Sequence, residues 1–225
     1  FQLMTAALQD AAVQGICVSH QYWDFSEKEE SYVEVSGNNE PIIDDEGNPQ
    51  IHNQITTLED KPIIELISPE NLRIDAASDW SDPIRTTPYI IHLIPMYLLD
   101  IKAKMDAGEW LEISEEELLA SDDGNEMDNT TRLVRDEPRT DPLDNDAEFA
   151  EIPDYKIVWV HKNIIKRDGV DWCYFTAGTQ FMLTEPRELK EMYPWLQDGE
   201  RPYVMGAVNL EAHKLYPAGT VELTQ

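Results

Sequence analysis

Forty-five aspartates and glutamates, against 17 lysines and arginines, are the commonest groups in this 225-residue chain that could do chemistry. A pair of carboxylates can act as acid and base on a glycosidic or phosphate bond when both face one cleft. Most of the acidic residues instead fall in stretches rich in Gly, Asn and Asp, where solvation alone accounts for them. Two of those stretches, "DDEGN" (44–48) and "DDGNEMD" (122–128), resemble pieces of a calcium loop. Such a loop needs oxygen ligands at positions 1, 3 and 5 and Gly at position 6. Placing Gly47 sixth puts Ile42 first, and placing Gly124 sixth puts Leu119 first. Neither side chain ligates a hard cation, so no calcium site is expected.

Soft ligands are the second possibility. Cys17 and His20 have C-x-x-H spacing, and His161 and Cys173 flank one turn. Zinc takes four convergent ligands. On a strand, residues three apart point to opposite faces, which separates Cys17 from His20. If Asp168-Gly169 is a two-residue turn, His161 stands opposite Thr176 and Cys173 falls on the other face. No zinc site is expected, and both cysteines read as structural. The motifs G-x-S-x-G, G-x-x-x-x-G-K and G-x-G-x-x-G do not occur. Trp159, Trp172 and Tyr174 could stack on unpaired bases, but their aliphatic neighbours mark them as core. The sequence therefore singles out no catalytic, cofactor-binding or metal-binding residue.

The charge balance narrows the choice of partner. Net charge is −28, and Asp106 to Asp154 alone holds 18 acidic residues against Arg132, Arg135 and Arg139, a balance of −15. Gripping phosphates takes clustered Lys and Arg, and only His161-Lys162 through Lys166-Arg167 is locally basic. A hydrophobic content of 41 %, with six Trp and nine Tyr, is enough for a packed core and unlike a disordered acidic tail. No apolar run approaches the roughly 18 residues of a membrane span, and no signal-peptide pattern is visible. Two cysteines make no disulfide framework and point to a reducing compartment.

The elements that would position any site follow from periodicity. Leu3, Met4, Ala7, Leu8, Ala11 and Ala12 share a helical stripe that Gly15 ends. Strands are expected over "ICVSHQYWDF" and "SYVEVS", separated by "EKEE", and over "QIHNQITTL" and "KPIIELIS" after a turn-rich loop, "GNNEPIIDDEGNPQ". Pro69 ends one ladder because it cannot donate. "NLRID" then makes a short edge-like strand with Leu72 and Ile74 on one face. "TPYIIHLIP" is a strand, "MYLLDIKAKMDAG" a helix closed by Gly108, and "SEEELLAS" a helix with Ser114 and Glu117 placed for a capping box. Asp168-Gly169 and Ala177-Gly178 predict a three-stranded meander. "EPRELKEMYPWL" predicts a helix with Pro in its first turn, and "RPYVMGAVNLEAHKLYP" an irregular extended return.

Together these give an α+β chain, a mostly antiparallel β-sheet and meander core flanked by helices, with a long acidic surface excursion. It reads as one excised domain, 1–225: a lead-in helix at 1–15, strands plus helix at 16–108, an acidic helix and loop excursion at 109–154, and the meander with its return at 155–225. Phe1 opens inside a helical pattern and Gly219-Thr220 reads as the entry to another helix, which suggests a piece of a longer protein.

Three stretches carry a family resemblance. "ALQDAAVQGICVSHQYWDF" is a helix ending in a small residue and running into a Trp-bearing strand. "PIIELISPENLRIDAASDWSDPIRTTPYIIHLIPMYLLDIKAKM" is a strand ending in a Pro-Glu turn, a short strand, a His-bearing strand and a helix. "ERPYVMGAVNLEAHKLYPAGTVELTQ" returns toward a helix through Pro-Ala-Gly. Their order resembles the wing region of tailed-bacteriophage and prophage portal proteins, of the large type found in short-tailed phages. The acidic excursion from Asp122 to Glu151 has no counterpart in that pattern. The resemblance implies a structural protein, not an enzyme, without a cofactor. It would self-associate as a full-length chain into a ring of about twelve copies at a capsid vertex. Its partners would be capsid protein, terminase and tail or adaptor proteins. Double-stranded DNA would pass through the channel without specific binding by this region, and no membrane is involved. Its place would be the virion, and the host cytoplasm during assembly. Two readings from other classes stand beside it: an acidic hydrolytic or carbohydrate-active domain with a carboxylate pair, and a β-rich binding module with an exposed strand edge.

Overall fold

The computed structural model describes residues 1–33, 49, 51–121 and 156–223, without the side chains of Glu29, Ile51 and His52. The turn-rich loop (Pro49 apart) and the acidic excursion from Asp122 to Glu151 lie outside these residues, as do both calcium-loop fragments. The described chain is α+β with antiparallel sheets. It divides into two compact units, one of Phe1–Ser19 with Leu66–Gln225 and one of His20–Glu65.

Helix α1 (Gln2–Gln14) ends at Gly15, which takes the left-handed conformation with φ 88°. β1 (Ile16–Val33) follows, and β2 (Ile51–Ile67) pairs beside it. Where "EKEE" and the Glu59-Asp60 step predict breaks, β1 and β2 run through unbroken. In a two-stranded ribbon, alternate side chains reach water on either face, so Glu27, Lys28 and Glu30 are solvated without leaving the ladder. Lys28 and Glu30 pair at 2.8 Å, and Lys61 and Glu59 at 2.5 Å. Pro62 is tolerated because β2 is an outer strand. The smaller unit, His20–Glu65, takes in most of β1 and β2. Its ties are Trp23 Nε1 donating to Asp60 Oδ1 at 2.7 Å and Ser31 Oγ donating to Asn53 Oδ1 at 2.9 Å.

The larger unit is built on a second sheet. After a 3-10 turn at Pro69–Asn71 come β3 (Leu72–Ile74), the short helix α2 (Pro83–Thr86), β4 (Tyr89–Tyr97), α3 (Leu98–Asp106) and α4 (Glu115–Ala120). β5 (Ile157–Arg167), β6 (Val170–Ala177) and β7 (Phe181–Met182) complete the order β3-β4-β5-β6-β7, with β8 (Arg187–Glu188) also paired to β6. Asp168 and Gly169 both take positive φ, 54° and 85°, as a two-residue hairpin turn demands. Pro95 sits in a nine-residue strand at no cost to the ladder, because β3 pairs only with Ile90 to His92 and leaves that side of Pro95 open. The helix expected over 185–196 shrinks to α5 (Leu189–Met192). Arg187 and Glu188 are captured by the sheet, paired with Cys173 and Trp172, so Pro186 precedes a strand rather than opening the helix. β9 (Tyr203–Ala207) and α6 (Thr220–Leu223) end the described chain, β9 lying next to β1.

Strand alternation decides what is inside. Val158, Val160, Lys162 and Ile164 of β5 share a face with their partners Met96, Ile94, His92 and Ile90 of β4, and with Ala177, Phe175 and Cys173 of β6. One half of that face is apolar: Val158, Val160 and Ala177 pack against Leu98, Ile101 and Met105 of α3, Leu118 of α4, and Leu183. The α4 capping box forms in full, with Glu117 N donating to Ser114 Oγ at 3.3 Å and Ser114 N to Glu117 Oε2 at 3.2 Å. The Ser114 hydroxyl, donating to Glu117 Oε2 at 2.6 Å, and then the Ser114 backbone N–H hold the Glu117 carboxyl below its usual range. Trp159, Trp172 and Tyr174 alternate with the inward residues and stand half-buried on the opposite face, contrary to their expected place in the core.

The start of α6 packs on the end of α1. A Cβ at Gly15 would land on the carbonyl oxygen of Pro217, and one at Gly219 on those of Ala12 and Val13. Gly15→Ala combines that overlap with a left-handed backbone, and is expected to cost about 2–4 kcal/mol in urea unfolding. Gly219→Ala, with the overlap alone, should cost about 1–3 kcal/mol.

Candidate functional site

The other half of the inward face is polar, and sequence periodicity already places one of its members. Lys162 alternates with Val160 and Ile164 on β5, which turns its side chain into the interior, where it is 3 % exposed. Its ammonium donates to the phenol oxygen of Tyr193, just beyond α5, and stands 4.7 Å from that ring's centroid and 5.6 Å from the ring of Tyr203 on β9. Its cross-strand neighbour His92 places Nδ1 3.2 Å from the Tyr203 hydroxyl, with the two rings edge to face. Aromatic faces and a phenol oxygen make burial of this cation tolerable.

Next to it, among the described residues, lies a charge pair with the geometry of a clamp. Arg201 Nε and Nη2 donate to the two carboxylate oxygens of Asp171 on β6, at 3.1 and 2.8 Å. Arg201 Nη1 donates to the backbone carbonyls of Ile84 and Thr87, at 2.9 and 2.7 Å. The Arg201 side chain is 1 % exposed and that of Asp171 12 %. The carbonyls belong to the α2 turn, which is itself organised by acceptors at its start. Asp82 Oδ1 takes Arg85 N, Asp79 Oδ1 takes Ser81 N, and Thr87 Oγ1 takes Asp75 N while donating to Tyr89 O. Among the described residues no buried side-chain nitrogen or oxygen is left without a hydrogen-bond partner.

A cavity of about 270 Å³ opens beside Asp171, lined by Lys166, Val170, Glu188, Leu189 and Glu200 among others. Three of the four acidic groups that line it are engaged by neighbours. Asp171 holds Arg201, Lys190 donates to Asp198 and holds that carboxyl below its usual range, and Glu200 Oε2 accepts Gln197 N at 3.2 Å. These contacts fix the 197–201 turn.

The soft ligands are separated. His161 pairs with Thr176 and Cys173 with Ile164, so His161 and Cys173 face opposite ways, as the two-residue turn requires. Burial, and then the nearby Arg73, lower the His161 pKa and keep the ring neutral at pH 7. Burial pushes the Cys173 thiol up to about 11, with Lys162 opposing weakly, so it is no nucleophile at neutral pH. Cys17 faces Gly206, whereas His20 stacks on Tyr22 and lies 4.0 Å from Glu65. Among the described residues no three of His, Cys, Asp and Glu gather as a metal site would need. Sequence reasoning took Lys162 only as part of a locally basic stretch, and missed Arg201, Asp171, Tyr193 and Tyr203. No local pattern marks them, since their partners lie as far as 117 residues away. The chain matches no family model and no curated protein.

Two measurements check this centre. Arg201→Ala strands a buried carboxylate and is expected to cost about 3–5 kcal/mol in urea unfolding. Arg201→Lys keeps the charge but not the fork, and should recover only part of the loss. Cys173 gives a pH test. An acid whose folded pKa exceeds its unfolded value binds its proton more tightly when folded. Stability therefore falls as pH rises from 9.0 to about 11. The fall attributable to Cys173 should be about 2–3 kcal/mol, seen as the difference in slope between the parent chain and Cys173→Ala.

Proposed function

We propose that this chain is the wing-like region of a phage or prophage portal subunit. In this reading it is a non-enzymatic assembly protein that forms, as part of the full-length chain, a ring at one capsid vertex through which DNA is packaged and ejected. The observation that carries the reading is the succession over Pro62–Met105: strand β2, the Pro-Glu turn at Pro69-Glu70, the short edge strand β3, the His-bearing strand β4 and then α3. That succession is the one on which the sequence resemblance rests.

Two further features support it. Helices α1 and α6, which stand at opposite ends of the sequence, pack together through Gly15 and Gly219. A region that leaves a helical body and rejoins it needs such an arrangement. The buried polar centre joins segments and presents no activated nucleophile, which suits a part whose work is shape and subunit contact. An acidic exterior also suits a channel protein, because like charge repels the phosphate backbone and lets DNA pass unheld. The capsid, terminase and tail components would be met by the assembled ring, in the virion and in the host cytoplasm during assembly.

Electron microscopy of the full-length gene product that contains these residues tests the reading. Closed rings of about twelve subunits are expected. A full-length protein that stays monomeric at the highest concentration reached would sink it.

A further inference from the structure

An Asp-Gly step is open to attack by its own backbone, because the residue after the carboxyl has no Cβ to block the approach of its nitrogen. Two such steps lie among the described residues, Asp168-Gly169 and Asp198-Gly199. Their backbones are alike. Each occupies the middle of a tight turn, the first closed by Arg167 and Val170, the second by Glu200 N donating to Gln197 O at 3.1 Å. Both glycines have positive φ, 85° at Gly169 and 81° at Gly199, and a Cβ built on either would meet nothing within 4 Å. Both aspartate side chains are exposed, at 94 % and 88 %.

What separates them is the hold on the carboxylate. Lys190 of α5 donates to Asp198 Oδ1, which favours the ionised carboxyl and keeps it turned toward the ammonium. Asp168 is met by Arg167 Nε at 3.8 Å, too long for a hydrogen bond. Closure of a ring onto the next residue needs the reverse of what Lys190 provides. The carboxyl must carry a proton, so that an oxygen can leave as water, and its carbon must swing onto the following nitrogen.

We propose that Asp168 is a site of spontaneous isoaspartate formation, and that Lys190 spares Asp198 from the same change. The Gly169 nitrogen bonds to Cγ of Asp168. One carboxyl oxygen leaves as water, taking the carboxyl proton and the amide proton, and a five-membered succinimide results. Water then adds back at one of the two ring carbonyls. Breaking the bond from nitrogen to Cγ restores aspartate, and breaking the bond to the original main-chain carbon gives isoaspartate. One water leaves and one returns, so no other reactant is consumed. The product routes the main chain through Cβ and Cγ. It adds one atom to a two-residue turn that leads, two residues on, to Asp171 of the Arg201 clamp. The proposal does not rest on the portal reading.

Ageing the 225-residue chain at physiological pH and temperature tests this, with isoaspartate located by peptide mapping and electron-transfer fragmentation. In the folded parent, isoaspartate should build up at 168 roughly threefold or more faster than at 198, the factor an exposed ion pair can supply. Lys190 is 64 % exposed, so Lys190→Gln leaves the fold in place. That variant should raise the rate at 198 by roughly the same factor and leave 168 unchanged. In the urea-unfolded chain the two steps should react alike, because neither turn nor ion pair remains. Absence of isoaspartate at 168, equal rates at the two sites in the folded parent, or a difference that persists in urea overturns the proposal. So does a Lys190→Gln chain in which 198 stays as slow as before.

Discussion

The guanidinium of Arg201 is the joint on which the larger unit depends. It takes hold of three segments that share no sequence neighbourhood: the α2 turn through two carbonyls, β6 through Asp171, and the return segment to which it belongs. A buried ion pair need not stabilise on balance, because desolvation offsets the attraction. What it does here is fix geometry. A guanidinium presents its donors in a rigid plane. Filling that plane with a bidentate carboxylate and two carbonyls sets where the return segment crosses the sheet. Tyr203, two residues on, is thereby delivered to His92 and Lys162.

The inward face of the sheet is thus secured in two different ways. Under α3 and α4, apolar helix faces meet Val158, Val160 and Ala177, and burial of aliphatic area suffices. Across Lys162, Ile164 and Cys173 the covering chain is α5, only four residues long, and an irregular return. So short a helix has no apolar stripe to lay down. Its cover is assembled from single large side chains, Leu189, Tyr193 and Tyr203, the two tyrosines positioned by polar contacts and ring faces. The thiol of Cys173 beneath them pays for that dryness with a raised pKa.

Local patterns were a good guide wherever local forces decide. The α1 stop at Gly15, the Ser114–Glu117 box, the Asp168-Gly169 turn and the alternation of Leu72 and Ile74 all appear as periodicity and turn chemistry require. Charge runs misled, because "EKEE" and Glu59-Asp60 break a strand only if one face must be dry, and a ribbon has no dry face. The aromatic residues Trp159, Trp172 and Tyr174 were placed by company instead of parity. Their odd and even positions relative to Val160 and Cys173 send them to the other face. The polar centre was half legible: Lys162 stands in an inward register on the sequence itself, whereas nothing near Arg201 or Asp171 announces a partner more than two dozen residues away.

Charge is finally divided between inside and outside. Of the 17 basic residues, Lys162 and Arg201 are buried and serve the interior, which leaves fewer still to balance the acidic surface. Exposed pairs such as Lys28–Glu30 and Lys102–Glu115 contribute little each. The unbalanced remainder acts at longer range, over about 8 Å at physiological salt. A surface of this kind keeps copies apart by default, so contact must come where charge is absent or already spent.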